Sequence, residues 1–331
     1  VSTKIEWATD SWNPITGCTP VSEGCQNCYA KRMSKRLAGR CGYDRDNPFN
    51  VTRHLDKMDE PLHWRKPRRV FVCSMGDLFH PDVEDWMLDE IFGVILGCRI
   101  FNNTPDHVFM VLTKRPGRMQ GYFASRTPVE LLRAWSDACP CYTDDPDVTV
   151  EDIVYSATCR DWDENGRNSS GSEYKPWGYL NKIWPLPNLW LGVTAENQAR
   201  ADERIPILLQ TPAAKRFVSI EPMLGPINLR HMDVDEAGCK EWCQIDALTG
   251  EHTDMCRPCP DVPHLDWVIC GSESGPGKRP MRPEWAFELM RQCRGAAVPF
   301  FYKQGPDDYG IYQKMPELDG QVRGEIPGVS V

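Results

Sequence analysis

Three cysteines stand close together near the start of the chain: Cys18, Cys25 and Cys28 in the stretch GCTPVSEGCQNCYAKR, spaced C-x6-C-x2-C with no histidine among them. A structural zinc site ordinarily takes four protein ligands. Three thiolates suit a different task. They hold three irons of a [4Fe–4S] cube and leave the fourth iron without a protein ligand, open to a small molecule. An open iron serves chemistry, whereas a closed four-thiolate site serves structure or electron transfer. Gly17, just before the loop, and Gly24, within it, let its backbone bend tightly. Two other readings compete with a cluster: a zinc site completed by a distant residue, and cysteines that are simply packed.

A second thiol group, Cys239, Cys243, Cys256 and Cys259, lies in GCKEWCQIDALTGEHTDMCRPCP. The first pair, at i and i+4, can share a helical face, and the second pair has the spacing of a knuckle turn. This pattern predicts structural zinc, with an auxiliary iron–sulfur cluster or no metal as alternatives. A short insertion with little core of its own gains stability from a metal. Cys73, Cys98, Cys270 and Cys293 fall in apolar runs and read as core. Cys41, Cys139, Cys141 and Cys159 have no evident role.

The elements that would position these groups are short apolar runs, each ending in a polar or glycine-rich turn. They occupy residues 11–18, 68–80, 107–116, 188–197, 215–225, 265–275 and 299–305. Runs apolar on both faces suit parallel strands covered by helices. Helical patterns fall between them, at 28–38, 82–98, 129–139 and 283–295. Strand, loop and helix repeated about six times predict an α/β fold built as a partial or full (β/α) barrel, with an open doubly wound sheet as the rival. The barrel comprises residues 1–230 and 265–331. It is interrupted by a polar loop insertion at 139–180 and by the four-cysteine, zinc-knuckle-like insertion at 231–264.

In a barrel, residues just past the strands rise from one rim. Cys18, Asp77, Lys114, Glu196, Glu221 and Glu273 all hold such positions. Carboxylates there suit ribose hydroxyls or an ammonium group, or else salt bridges to neighbouring arginines. Asp77 has the further reading of a charge at the N-terminus of the 82–98 helix. His80 is either a proton donor near the site or a packed histidine. Lys114, Arg115, Arg282 and Lys303 would line the same mouth and bind an anionic substrate.

The bulk composition sets limits. The chain has 331 residues with 38 Lys+Arg against 47 Asp+Glu, a net charge of −9. Such a chain does not coat nucleic acid unspecifically, although a local basic mouth can still take an anion. No apolar run reaches the ~20 residues of a membrane span and no signal peptide opens the chain. Fifteen cysteines with CxxC spacings, in a chain of this length, predict thiols on metals in a reducing, cytoplasmic compartment. A monomer is expected.

Taken in order, SWNPITGCTPVSEGCQNCYA, SMGDLF, LTKRP, GVTAEN, SIEPMLG and CGSESGPGKRPM resemble a phage-protein family similar to radical S-adenosylmethionine enzymes. Two departures stand out. The common signature is C-x3-C-x2-C, and Asn27 replaces the aromatic that often precedes the last cysteine. The resemblance implies a barrel of the radical S-adenosylmethionine type and a [4Fe–4S] cluster on Cys18, Cys25 and Cys28 as catalytic groups, with Glu273 and His80 beside them. It implies S-adenosylmethionine bound by Ser74, Gly76, Asp77, Thr194, Glu196, Ser219, Glu221 and Gly271. Reductive cleavage would give a 5′-deoxyadenosyl radical that takes hydrogen from a nucleobase, nucleoside or DNA. One form is an isomerase that rearranges an amino-acid (glycinyl) adduct of thymine in phage DNA hypermodification. Another is a lyase that repairs damaged pyrimidines. A flavodoxin-type reductase would supply the electron, in the host cytoplasm. Outside this class stand a zinc-stabilised nucleic-acid-binding module and a metal hydrolase, the latter disfavoured because His80 is the lone histidine at a strand end.

Overall fold

The computed structural model describes residues 3, 5–100, 105–139, 183–234, 243–252 and 263–328. Eight strands form the main sheet: β1 (Asp10–Trp12), β2 (Arg69–Val72), β3 (Val108–Thr113), β4 (Leu189–Thr194), β5 (Lys215–Ile220), β6 (Trp267–Gly271), β7 (Phe300–Pro306) and β8 (Tyr312–Lys314). Their order across the sheet is their order along the chain. Strands β1 to β7 run parallel, and β8 turns back antiparallel on β7. The sheet curls into a half-barrel. Among the described residues β1 and β8 do not pair, so the barrel is partial rather than closed. The doubly wound alternative fails because the strand order never reverses, so the sheet has no switch point.

Alternation along the strands produces two cores, because successive side chains point to opposite faces. On the outer face Val70 and Val72, Phe109 and Val111, Leu191 and Val193, Val218 and Ile220 meet the helices. These are α1 (Tyr29–Leu37), α2 (Asp85–Ile100), α3 (Pro116–Ala124), α4 (Pro128–Ala138), α5 (Gln198–Leu209) and α6 (Pro283–Gly295). The inner face carries aromatics instead: Trp190, Phe217, Trp267 and Phe301, joined by Trp7 from the segment before β1 and Ile326 from the segment after β8. Trp267 meets Trp7, Trp190 and Phe301 edge to face, at ring separations of 6.0, 6.2 and 6.1 Å. This plug fills the inside of the half-barrel and leaves the polar residues to the strand ends.

All seven apolar runs overlap a main-sheet strand, and the four expected helices appear as α1, α2, α4 and α6. Two helices were not expected. Pro116 reads as a breaker in sequence but sits at the first position of α3, where its missing N–H costs nothing. Pro206 lies inside α5, a helix that Asn197 starts by capping the Arg200 N–H. The antiparallel β8 was also unforeseen.

The 231–264 segment does not stand apart from the barrel in its described part. Met232–Val234 pairs with Cys243–Ile245 as a hairpin, and Met232, Ile245, Ala247 and Leu248 belong to the main core. Cys243 opens the second hairpin strand, whereas Cys239, Cys256 and Cys259 lie outside the described residues, as does the 139–180 insertion beyond Cys139. The four cysteines read as core, Cys73, Cys98, Cys270 and Cys293, are buried.

Gly192 faces the plug opposite Phe217 in the β4–β5 register, and a Cβ there would lie 2.5 Å from the Phe217 ring. Gly192→Ala should cost ~1–3 kcal/mol through overpacking. Urea denaturation should show a lower midpoint with an unchanged slope.

Candidate functional site

Because β1 to β7 are parallel, the segments that follow them meet at one rim. The cysteine loop leaves β1 through Ile15–Thr16, which pairs with Thr52–Arg53. Gly17 then bridges to Gly76 of the turn after β2, and its N–H donates to the Met75 carbonyl at 3.0 Å. Gly17 has φ +89°, the left-handed region that favours glycine. Ser74 and the Met75 N–H both donate to Asn13 Oδ1, at 3.2 and 2.9 Å. The asparagine of SWNPITGC thus ties the first strand's exit to the second's.

Glu196, just past β4, is fully buried and anchors the loop from below. Its carboxylate takes Lys114 Nζ at 2.7 Å, Arg204 at 3.0 Å and the Ser22 hydroxyl at 2.6 Å. Arg204 also donates to the Thr194 carbonyl at 2.7 Å. Gly24 lies so close that a Cβ would overlap the Glu196 carboxylate. Burial pushes the Glu196 carboxyl pKa up, but Lys114 and Arg204 outweigh it, so the acid is held below the usual carboxylate range. Asn197 and Arg200 extend the anchor by contacting Glu23.

A second tie comes from the turn after β6. Glu273 accepts from the Asn27 side-chain amide at 2.8 Å, from Arg279 N–H at 2.8 Å and from the Arg279 guanidinium at 2.6 Å. Asn27 also donates to the Gly277 carbonyl, at 3.3 Å. Arg32 of α1 donates to the Ser274 carbonyl at 2.9 Å. Asn27 and Arg32 thus both join the start of the helical segment to this turn. Burial pushes Glu273 up, and the Arg279 and Asn27 hydrogen bonds bring it below the usual range.

The third tie surrounds Cys18. Asp77 accepts from the Thr113 hydroxyl at 2.7 Å, from the Phe79 N–H at 3.0 Å and from Arg115 at 2.9 Å. Arg115 reaches Cys18 Sγ at 3.3 Å and the Thr19 carbonyl at 2.9 Å. The Thr19 hydroxyl meets His80 Nε2 at 2.8 Å, and His80 Nδ1 accepts the Asp82 N–H at 3.1 Å. Nδ1 is therefore the bare nitrogen, and Nε2 carries the proton toward Thr19. Burial and the Arg115 charge hold His80 below its ordinary pKa. Burial pushes the Cys18 thiol up to about 11, aided by Asp77 and opposed by Arg115, with Cys25 adding a smaller push.

The remaining site residues of the sequence analysis sit on the same rim with different exposure. Glu221 and Lys303 pair at 2.6 Å and are about one-fifth exposed, at 20% and 18%. Gly271 packs against that pair, with Glu221 side-chain atoms 3.5 Å from where a Cβ would stand. Thr194 and Ser219 are buried. Arg282 is exposed and lies over Trp285, 5.9 Å from its ring centre, apart from the ties that hold the loop. Sequence reasoning passed over Ser22, Thr19, Asn13, Thr113 and Arg204. Asn13, Thr19, Ser22 and Thr113 all lay within motifs that drew notice for their neighbours, whereas Arg204 lay on the unexpected helix α5.

The three thiols are unbonded and partly exposed. Cys28 caps α1 by accepting the Lys31 N–H, Cys25 Sγ lies 3.8 Å from the Ser22 hydroxyl, and Cys18 faces Arg115. Among the described residues no group of three or more His, Cys, Asp or Glu side chains is drawn close enough to hold a metal ion. The donor set nevertheless suits an iron–sulfur cluster. It offers three sulfurs on one short loop whose backbone is pinned from three sides.

Compared with known proteins, the chain matches the family described as "Protein of unknown function (DUF5131)" over residues 2–327. No curated protein and no solved structure matches it.

Replacing Glu196 with Gln should strand Lys114 and Arg204, a loss of ~3–5 kcal/mol of the kind seen on breaking a buried ion pair. The folded-state pKa of Glu196 lies below its ordinary 4.5. Its stabilisation is therefore complete above that value and is lost as pH falls toward the folded pKa. Urea titrations across acid pH should show the stability gap between the wild type and Glu196→Gln closing as the pH drops below that range.

Proposed function

The chain belongs to the DUF5131 family, and we propose that it is a radical S-adenosylmethionine enzyme that abstracts hydrogen from a nucleobase, nucleoside or DNA substrate. The observation that carries this reading is the trio of free, partly exposed cysteines on one loop at the strand-end rim of a curled parallel sheet. A [4Fe–4S] cluster held by Cys18, Cys25 and Cys28 would supply one-electron reduction of S-adenosylmethionine and hence a hydrogen-abstracting radical.

The protein's own part is positioning, and it falls to the three ties. Glu196 with Ser22 fixes the middle of the loop, Glu273 with Asn27 fixes its end, and Asp77 with Arg115 fixes its start. Arg115 also lays a positive charge against Cys18 Sγ, which opposes the burial and the Asp77 charge that together raise that thiol. The Glu221–Lys303 pair is the rim pair best suited to exchange partners. A bound amino acid could offer its ammonium to Glu221 and its carboxylate to Lys303, replacing one ion pair with two. Glu196 has no such freedom, because its own carboxylate is fully buried and holds the buried Arg204 as well as Lys114. The inner aromatic plug fills the half-barrel below the rim.

The four-cysteine segment is assigned zinc on the spacing of Cys239, Cys243, Cys256 and Cys259 alone. A flavodoxin-type reductase is the electron donor this chemistry calls for. Among the described residues no helix is long and apolar enough to cross a membrane.

Anaerobic reconstitution with iron and sulfide, followed by dithionite and S-adenosylmethionine, should yield 5′-deoxyadenosine. Cys25→Ala should abolish it. A reconstituted protein that binds no iron, or product formation that survives the substitution, would remove the reading.

A further inference from the structure

Three of the four basic residues that the sequence offers for substrate are already engaged. Lys114 belongs to Glu196, Arg115 to Asp77 and Lys303 to Glu221, each within 3 Å. A different set of cations lies on the outer side of the cysteine loop. There a cavity of about 900 Å³ opens between α1, the 45–51 segment and the floor formed by Cys18 and His80. Lys31 and Lys35, one helical turn apart on α1, and Arg45 line it. All three are exposed, and none is seen in an ion pair among the described residues. The other charges on the wall are partly spoken for. Arg53 is paired with Glu90 at 2.5 Å and Asp82 faces His80 at 3.7 Å, which leaves Asp46 as an opposing carboxylate.

The cavity also has an apolar side. Phe49 is half-buried in its wall, and the Phe49 carbonyl accepts the Cys18 N–H at 3.1 Å. A flat ring resting on Phe49 would therefore lie beside the cysteine loop. Cations at the mouth and an aromatic residue next to Cys18 match a ligand that is anionic at one end and planar at the other.

We propose that this cleft is a phosphate-recognising subsite that takes a nucleotide unit, its phosphate against Lys31, Lys35 and Arg45 and its base against Phe49. The assignment rests on the radical reading above for its chemistry, and on the cleft itself for its ligand. It also reconciles a chain of net charge −9 with a nucleic-acid-like substrate: the attraction is local, confined to one opening. The shared chemistry is that of a nucleotide, whether free or within a strand.

The reconstituted full-length protein should bind a fluorescein-labelled oligothymidylate, read by fluorescence anisotropy. The Lys31→Ala, Lys35→Ala, Arg45→Ala triple variant should bind about tenfold or more weakly and show a shallower dependence on salt. Lys35→Arg should retain binding, and thermal melts should show all variants folded. Thymidine monophosphate should displace the probe better than thymidine. Displacement at concentrations comparable to those of unlabelled oligomer marks a free nucleotide as the ligand, and much poorer displacement marks a strand. Absent probe binding, unchanged binding in the triple variant, or thymidine competing as well as its monophosphate would overturn the subsite. Binding that behaves as expected in a protein that forms no 5′-deoxyadenosine would uphold the cleft and reject the radical chemistry separately.

Discussion

A single buried carboxylate organises the rim. Glu196 sits where a charge is most costly, away from water, and is tolerable only because Lys114 and Arg204 bring two cations to it from different elements. That arrangement locks β3, β4 and α5 to one another at their polar ends. The Ser22 hydroxyl then takes the same carboxylate, and the absence of a side chain at Gly24 lets the loop backbone come down onto it. The cysteine loop is thus seated on an ion cluster that the barrel already needs. A disturbance of the cluster would reach the thiols directly.

The two other ties follow the same pattern of a rim carboxylate bridging the loop to the scaffold through a cation or an amide. Asp77 works through Arg115, and Glu273 binds both Arg279 and Asn27. The rim carboxylates therefore divide by exposure. Glu196, Asp77 and Glu273 are buried and committed within the protein. Glu221 shares a more open pair with Lys303. Only charges with access to water or ligand can change partners without a large desolvation cost. This separates residues that hold the site together from those with freedom to meet a ligand.

The sheet was legible because its strands are short β-branched and aromatic runs such as RVFV, VFMVLT and LWLGVT, apolar on both faces. Their alternation hid the inner plug, since Trp190, Phe217 and Trp267 look like ordinary strand residues until the register stacks them. Helix α5 was obscured by Pro206 and by a polar first half, and with it went Arg204. The carboxylates were rightly located at strand ends, but their partners were not visible. Pairing joins residues many positions apart, and no local pattern encodes it. Asn27 was conspicuous in the sequence, but its contact with Glu273, 246 residues away, was not visible there. The second cysteine group stays legible only as spacing, because three of its four members fall outside the described residues.

The ties that seat the cysteine loop are far apart along the chain: Ser22 to Glu196 spans 174 residues, and Asn27 to Glu273 spans 246. A ribosome makes the loop first and these anchors much later, and chains fold progressively from the N-terminus as they emerge. The thiols consequently leave the exit tunnel long before their seat exists. Throughout that interval Cys18, Cys25 and Cys28 belong to an unsupported nascent segment, and whatever protects them then must come from outside the chain.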